Sequence, residues 1–300
     1  MFSASRVSRA AIASGTQKAI FGVGTSGSVV AMTNLVSSVG VVATDTAGVG
    51  TAREGIAAAG YGGDKAIFGY GLTGAVSKIS NLVSNAGVVA ADVAGVGTAR
   101  QRLAAASYGG DKAIFGYGVA GSNTAITNLV SNVGVVATDT TGVGTARFLL
   151  AAAGYGGDKA IFGYGNSGSN VTLANLVSNT GVVATDTAGA GTARMALAAA
   201  GYGGDKAIFG YGKTGSYVSV TNLISNAGVV ATDTTGVGTI RGYLTAAVYG
   251  INKAIFGYGY DGVSELAMTN LVSNAGVVAT DTTGVGTART DLAAVSYSST

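Results

Sequence analysis

The block KAIFG begins at Lys18, Lys65, Lys112, Lys159, Lys206 and Lys253, and every step between copies is 47 residues. Nothing else constrains this chain as strongly, because a fixed long period means one supersecondary unit stacked repeatedly on itself. NLVS (once NLIS) keeps the period, starting at Asn34, Asn81, Asn128, Asn175, Asn222 and Asn270. Its last step is 48, which marks one inserted residue in the loop around Tyr260 to Leu266. GVVA follows, and then GTAR (once GTIR). The repeat units fall near 6–52, 53–99, 100–146, 147–193, 194–240 and 241–288, with a surplus segment at 289–297. The N-terminal RVSRAAIAS lies in the register of REGIAAAGY and reads as a worn first copy rather than a transit peptide.

Each unit predicts four short strands. An alanine-rich strand (Ile56 to Tyr61 in one copy) leads through GGD into KAIFGYG, where strand alternation sets Ala66, Phe68 and Tyr70 on one face and Lys65 and Ile67 on the other. A variable loop leads to a strand ending in NLVS. A turn such as Ser84 to Gly87 supplies Asn and Gly, which tolerate positive φ, and opens a fourth strand, VVATDT. No segment carries a capped helical period. Six such units predict an all-β chain: a six-bladed β-propeller built from 47-residue four-stranded repeats, in one domain. Alanine and glycine fit the crowded strands near the axis, and Phe and Tyr fit between blades. A β-solenoid, with coils of about 20–30 residues, is the rival. The alanine strand occurs seven times and its partners six, so either 6–14 or 289–297 is surplus and can close the ring or pair with a neighbouring subunit.

The run KAIFGYG…TNLVSN…GVVATDT…GVGTAR…LAAA resembles a kelch-type blade without the usual Trp and double glycine. It is more closely similar to repeat arrays found in proteins of tailed phages and marine viral sequences, and the similarity extends over all six units. That resemblance implies a propeller in a virion-associated tail, fibre or attachment protein. Its partners would be other virion proteins, a cell-surface receptor or a glycan, and homo-oligomers are possible.

FGYGKTG, residues 209–215, carries both GxGxxG and GKT. A dinucleotide site needs that loop to open a helix, so that phosphate meets the helix N-terminus. Here GxGxxG recurs in every unit and each copy leads to another strand. The P-loop pattern also requires glycine where Ala207 stands. The glycines are therefore predicted to be turn residues.

The charged residues are mostly locked to the repeat. Asp45, Asp92, Asp139, Asp186, Asp233 and Asp281 form one expected ring, and Arg53, Arg100, Arg147, Arg194, Arg241 and Arg289 another. Residues present in every blade are expected to build the blade, with pairs of the Asp45–Arg53 type stapling successive units. The chain has no His and no Cys, which removes the usual metal ligands and the base that works near neutral pH; no metal, cofactor or catalytic role is expected. The net charge of +3 is spread over offsetting rings, so nucleic acid is not expected as a partner. No apolar run reaches the roughly 18 residues of a membrane span.

Difference between copies is concentrated in the loops after KAIFGYG and in the dipeptides after each GTAR arginine. Loops on a rigid scaffold are where recognition sits, which makes Lys78, Asn123, Asn166, Lys213, Tyr217, Tyr260, Asp261 and Glu265 the candidate binding residues. The expected function is a non-enzymatic virion scaffold or attachment module. The alternative is a glycan-binding lectin with repeated pockets between blades, in which Tyr70 and its counterparts, if exposed, would take the place of the missing Trp in stacking on sugars.

Overall fold

The computed structural model describes residues 17–298. These form six three-stranded antiparallel sheets and one two-stranded hairpin, Val119–Ala120 with Ser122–Asn123. The second sheet joins Ala57–Tyr61, Lys65–Leu72 and Val76–Val83. The third joins Ala104–Tyr108, Lys112–Gly116 and Thr127–Val130. The fourth joins Ala151–Tyr155, Lys159–Gly163 and Ala174–Val177, and the fifth Ala198–Tyr202, Lys206–Gly210 and Thr221–Ile224. The sixth joins Thr245–Tyr249, Lys253–Tyr260 and Glu265–Val272. In the first sheet, Gln17–Gly22 pairs with Thr33–Val36 on one side and with the C-terminal Ala293–Ser298 on the other. The surplus copy at 289–297 therefore completes the sheet that the N-terminal half begins, and segment 6–14 lies outside the described residues. Among the described residues there is no helix, and so none long and apolar enough to cross a membrane.

The predicted fourth strand is not a full member of the sheet. In the fourth unit it meets its neighbour only at the isolated bridges Val177↔Val183 and Ala174↔Thr187. Between them the Asn175 side chain intrudes, its Nδ2 donating to the Ala184 carbonyl at 3.0 Å and to Asp186 Oδ1 at 2.9 Å. A side chain thus takes over part of what a continuous ladder would supply, and the sheets are three-stranded with a pinned outer segment.

The alanine-rich strands lie innermost, each packed on the next, with the sixth sheet's against Ala293–Ser298 and that strand against Ala57–Tyr61. Just before each inner strand the backbone forms a closed hydrogen-bond circuit. Arg102 N–H donates to Gly55 O, Leu149 to Arg102, Ala196 to Leu149, Tyr243 to Ala196, Asp291 to Tyr243, and Gly55 to Asp291, at 2.7–3.1 Å. The arrangement is propeller-like.

The apolar clusters lie between neighbouring sheets rather than within one. Ala151, Ala153, Tyr155, Ile161 and Tyr164 of the fourth sheet pack with Leu197, Ala207, Phe209 and Ile224 of the fifth. Each sheet thus needs a neighbour on both faces, as stacked repeats do. Tyr70 departs from the expected alternation. Its φ is +65° and the register shifts between Gly69 and Gly71, so the ring turns away from Phe68 and joins Ile67 on the side of the third sheet. Nor is the first glycine of each GxGxxG a turn residue. At Gly163 a Cβ would lie 2.4 Å from Phe209 Cζ, so the position is glycine because the next sheet's ring rests on it. The second, such as Gly165 at φ +99°, does need the left-handed backbone; the third faces open space at Gly168 and Gly215.

Candidate functional site

The two charge rings come together between sheets, but not as expected. Arg53 reaches Asp92 at 3.7 Å, Arg147 reaches Asp186 at 3.7 Å, and Arg194 and Arg241 reach Asp233 and Asp281 at 3.9 Å. Arg289 closes the series at 4.0 Å from Asp45, so the Asp45–Arg53 pairing is not formed. Each of these five arginines pairs one unit further along than expected because GTAR leads into the next sheet, and that sheet's own aspartate comes back to meet it. All six arginines are buried. Arg147 Nε donates to Tyr164 O at 2.8 Å and Nη2 to Asn175 Oδ1 at 2.6 Å. Burial pulls its proton affinity below the ordinary guanidinium range, and the Tyr117 and Asp186 charges push back. Asp186 is raised by burial, but bonds from Thr145 and Asn175 and the charge of Arg147 hold it below the usual carboxylate range. Arg100, which belongs to the same ring, stacks over Tyr70 at 4.3 Å, and Thr98 donates to Asp139 through both its N–H and its hydroxyl. The rings are masonry, and Tyr70 with its counterparts at 117, 164, 211 and 258 is buried within it. A lectin that stacks sugars on those tyrosines is excluded by their burial.

The two faces of the molecule differ in kind. On one lie the SNAG-type turns and the turns before each KAIFG strand, which read GGDK in the second to fifth units, with Lys65 and Lys206 paired to Asp64 and Asp205 at 2.9 and 3.1 Å. The turns before the KAIFG strands surround the mouth of a central cavity of about 530 Å³ whose walls are the inner strands, including Ala59, Gly60, Ser107, Gly154 and Gly201. The other face carries what varies. The bridges Glu54↔Leu72, Gln101↔Val119, Phe148↔Asn166, Met195↔Lys213, Gly242↔Tyr260 and Thr25↔Thr290 set each variable dipeptide after an arginine beside the variable loop of the same sheet.

Most of the candidate residues form a chain around that face. Asn123 Nδ2 donates to Asn166 O at 3.5 Å, and Asn166 Nδ2 to Asn170 Oδ1 at 3.0 Å. Asn170 Nδ2 then reaches the Lys213 carbonyl at 3.1 Å, and Lys213 Nζ sits 5.1 Å from the Tyr217 ring centroid. Tyr217 meets Tyr260 edge-on at 5.9 Å, and Glu265 Oε1 accepts the Gly27 N–H at 3.3 Å. Asp261 is spent locally, accepting the N–H groups of Val263 and Ser264 at 2.8 Å, bonds that hold its carboxyl below the usual range. Lys78, on the outer strand of the second sheet, joins none of these contacts.

The densest part lies between the fifth and sixth sheets. Burial raises the Tyr217 phenol, and Tyr243, Tyr260, Asp291 and Asp261 all stand near enough to raise it further. Beside them, on the axis, is a second cavity of about 80 Å³ lined by Gly55, Arg102, Leu149, Ala196, Tyr243 and Asp291, with Ile56 and five leucines behind them. Burial pushes the Asp291 carboxyl up to about 6, Arg102 pulling it down and Glu54 adding to the rise. Arg102, Tyr243 and Asp291 were not among the residues singled out from sequence. The signal for them was there, in the changing dipeptides QR, GY and TD after the repeated arginine, but only folding shows that these dipeptides meet on the axis.

Among the described residues no cluster of His, Cys, Asp or Glu is placed to hold a metal. The fold and the face together define a propeller-like repeat protein with one variable end. No protein-family model matches the chain, and no curated protein matches it.

Proposed function

We propose that the chain is a six-bladed β-propeller acting as a non-enzymatic binding module, with its binding surface on the variable face. One observation carries the reading: the six copies agree where they build the stack and diverge where they meet on one end of it. That is the division expected of a rigid scaffold displaying recognition loops. The divergence is also lopsided. Tyr217, Tyr243, Tyr260, Lys213 and Asp291 crowd toward one sector, so the ligand, a surface receptor or glycan, engages mainly one site rather than six equal ones. The sequence resemblance extends the proposal to a virion tail, fibre or attachment component, and mass spectrometry of purified particles tests that part.

Binding is tested with the purified chain immobilised and challenged with a glycan array and with whole cells. The expected result is retention that Tyr217→Ala or Tyr260→Ala abolishes and Lys78→Ala leaves intact. Retention that depends instead on Lys65 or Lys206, on the opposite face, would refute the assignment.

A further inference from the structure

The geometry points to the axial cavity as a carbohydrate subsite, in which vicinal hydroxyls of a neutral sugar bridge the Asp291 carboxylate and the Arg102 guanidinium. This deepens the proposed function and rests on the variable face being the binding face.

The hydrogen-bond circuit fixes six positions around the axis, and five of them carry side chains. The sixth is Gly55, which lies between Asp291 and Arg102 in that circuit. A side chain is therefore missing where it would otherwise fill the space between an acid and a base. A Cβ on Gly55 would already approach the Arg102 side chain to 3.3 Å. Neither the Asp291 carboxylate nor the Arg102 guanidinium has a hydrogen-bond or ion-pair partner among the described residues, though both line the same small cavity. Both residues are half-buried and the cavity is open at one side, so a ligand entering it can replace the water that otherwise bonds the two groups.

The chemistry of the pair selects the ligand. A carboxylate only accepts and a guanidinium only donates, so the group between them must do both, as hydroxyls do. The two charges cancel, which disfavours a lone ammonium or a lone anion. The floor of Ile56, Leu103, Leu150, Leu197, Leu244 and Leu292 suits the C–H face of a sugar ring, and Tyr243 beside Asp291 supplies an aromatic wall. The groups facing Asp291 are Arg102, Glu54, Tyr243 and Tyr217. Of these the carboxyl of Asp291, raised by burial, titrates in mildly acidic solution, so sugar binding should weaken as pH falls through about 6.

The test is ligand-observed NMR with methyl glycosides of glucose, galactose, mannose and fucose, against the intact chain and the variants Asp291→Asn, Arg102→Gln and Tyr217→Ala, each checked for a single cooperative melting transition no lower than the parent's. At least one glycoside should bind, and Asp291→Asn and Arg102→Gln should each weaken it by about tenfold. Tetramethylammonium and sulfate serve as charged comparators. If no glycoside binds, or if tetramethylammonium or sulfate is preferred, the inference is wrong. If a glycoside binds and only Tyr217→Ala reduces it, the sugar sits elsewhere on the face: this subsite is then overturned while the proposed function stands.

Discussion

Arg147 lies with its guanidinium carbon 4.4 Å from the centroid of the Tyr117 ring, and through that contact the fourth unit is fastened to the third. The same ring meets Phe162 of the fourth sheet edge-on at 5.1 Å, and its hydroxyl donates to Val143 O at 3.1 Å. Tyrosine and arginine thus each satisfy groups on both sides of an inter-sheet seam.

Replacing Arg147 by alanine should cost about 3–5 kcal/mol, since it strips the buried partner from Asp186 and Asn175. Urea denaturation measures it. A double-mutant cycle should find coupling of Arg147 to Asp186 and none to Asp139, which is one unit back in sequence and bound to Thr98.

One seam lacks the tyrosine. Val23 occupies that position, at φ +60°, and Arg53 stands there with its Nε unbonded. A β-branched residue is poorly suited to that backbone, whereas tyrosine adopts it in the other five units. Val23→Tyr should stabilise the chain by about 1–2 kcal/mol through the stacking it restores, read as a higher melting temperature. A lower one would mean that the neighbouring Phe68 and Ile56 have closed over the space.

Two glycines should respond in opposite directions. Ser107 Oγ donates to Gly60 O at 2.9 Å and accepts the Gly60 N–H at 3.1 Å, tying neighbouring inner strands together, and Ser296 does the same for Val248. Gly154 is the equivalent residue one sheet on, and a Cβ there meets Ser107 O at an ordinary 3.4 Å. Gly154→Ser should therefore add about 1 kcal/mol of stability. Gly163→Ala should destabilise by about 1–3 kcal/mol, because Phe209 must move. Differential scanning calorimetry on the two variants separates these outcomes.

Acid should loosen the seams. The six ring aspartates are held below their ordinary 3.8 by bonds to Thr and Asn and by the arginines, which outweigh burial. A depressed carboxyl contributes stability above its unfolded value and loses it as pH falls through the folded value, so melting temperature should drop below about pH 4. Asp291 has the opposite sign. The folded chain holds that proton up to about 6 while the unfolded chain releases it near 3.8, so stability falls as pH rises between them. Asp291→Asn should melt higher than the parent at pH 7 and converge with it in acid.

Deleting residues 293–300 should leave Gln17–Gly22 with an unpaired edge and remove Tyr297 and Val295 from the seam with the second sheet. The expected result in size-exclusion chromatography is association or aggregation in place of a single monodisperse species. An unchanged elution and melting profile would mean that the closing strand is dispensable.

How much of this was legible beforehand follows from the reach of each interaction. A 47-residue period, two-residue alternation and glycine-marked turns are local, so the strands, their antiparallel order and the placing of alanine strands innermost could be read directly from KAIFG, NLVS and LAAAGY. The variable loops could also be located, because divergence among copies is itself a property of the sequence. Three-dimensional closure determined the rest. Tyr70 changed faces because a positive φ breaks alternation, and Asn175 displaced part of a fourth strand by bonding where a backbone group would have bonded. Arg53 found Asp92 rather than Asp45 because the chain crosses a seam between them. Gly55, Arg102, Tyr243 and Asp291, scattered over more than 230 residues, became neighbours only because six equivalent turns meet at one axis, a distance relation that no local pattern encodes.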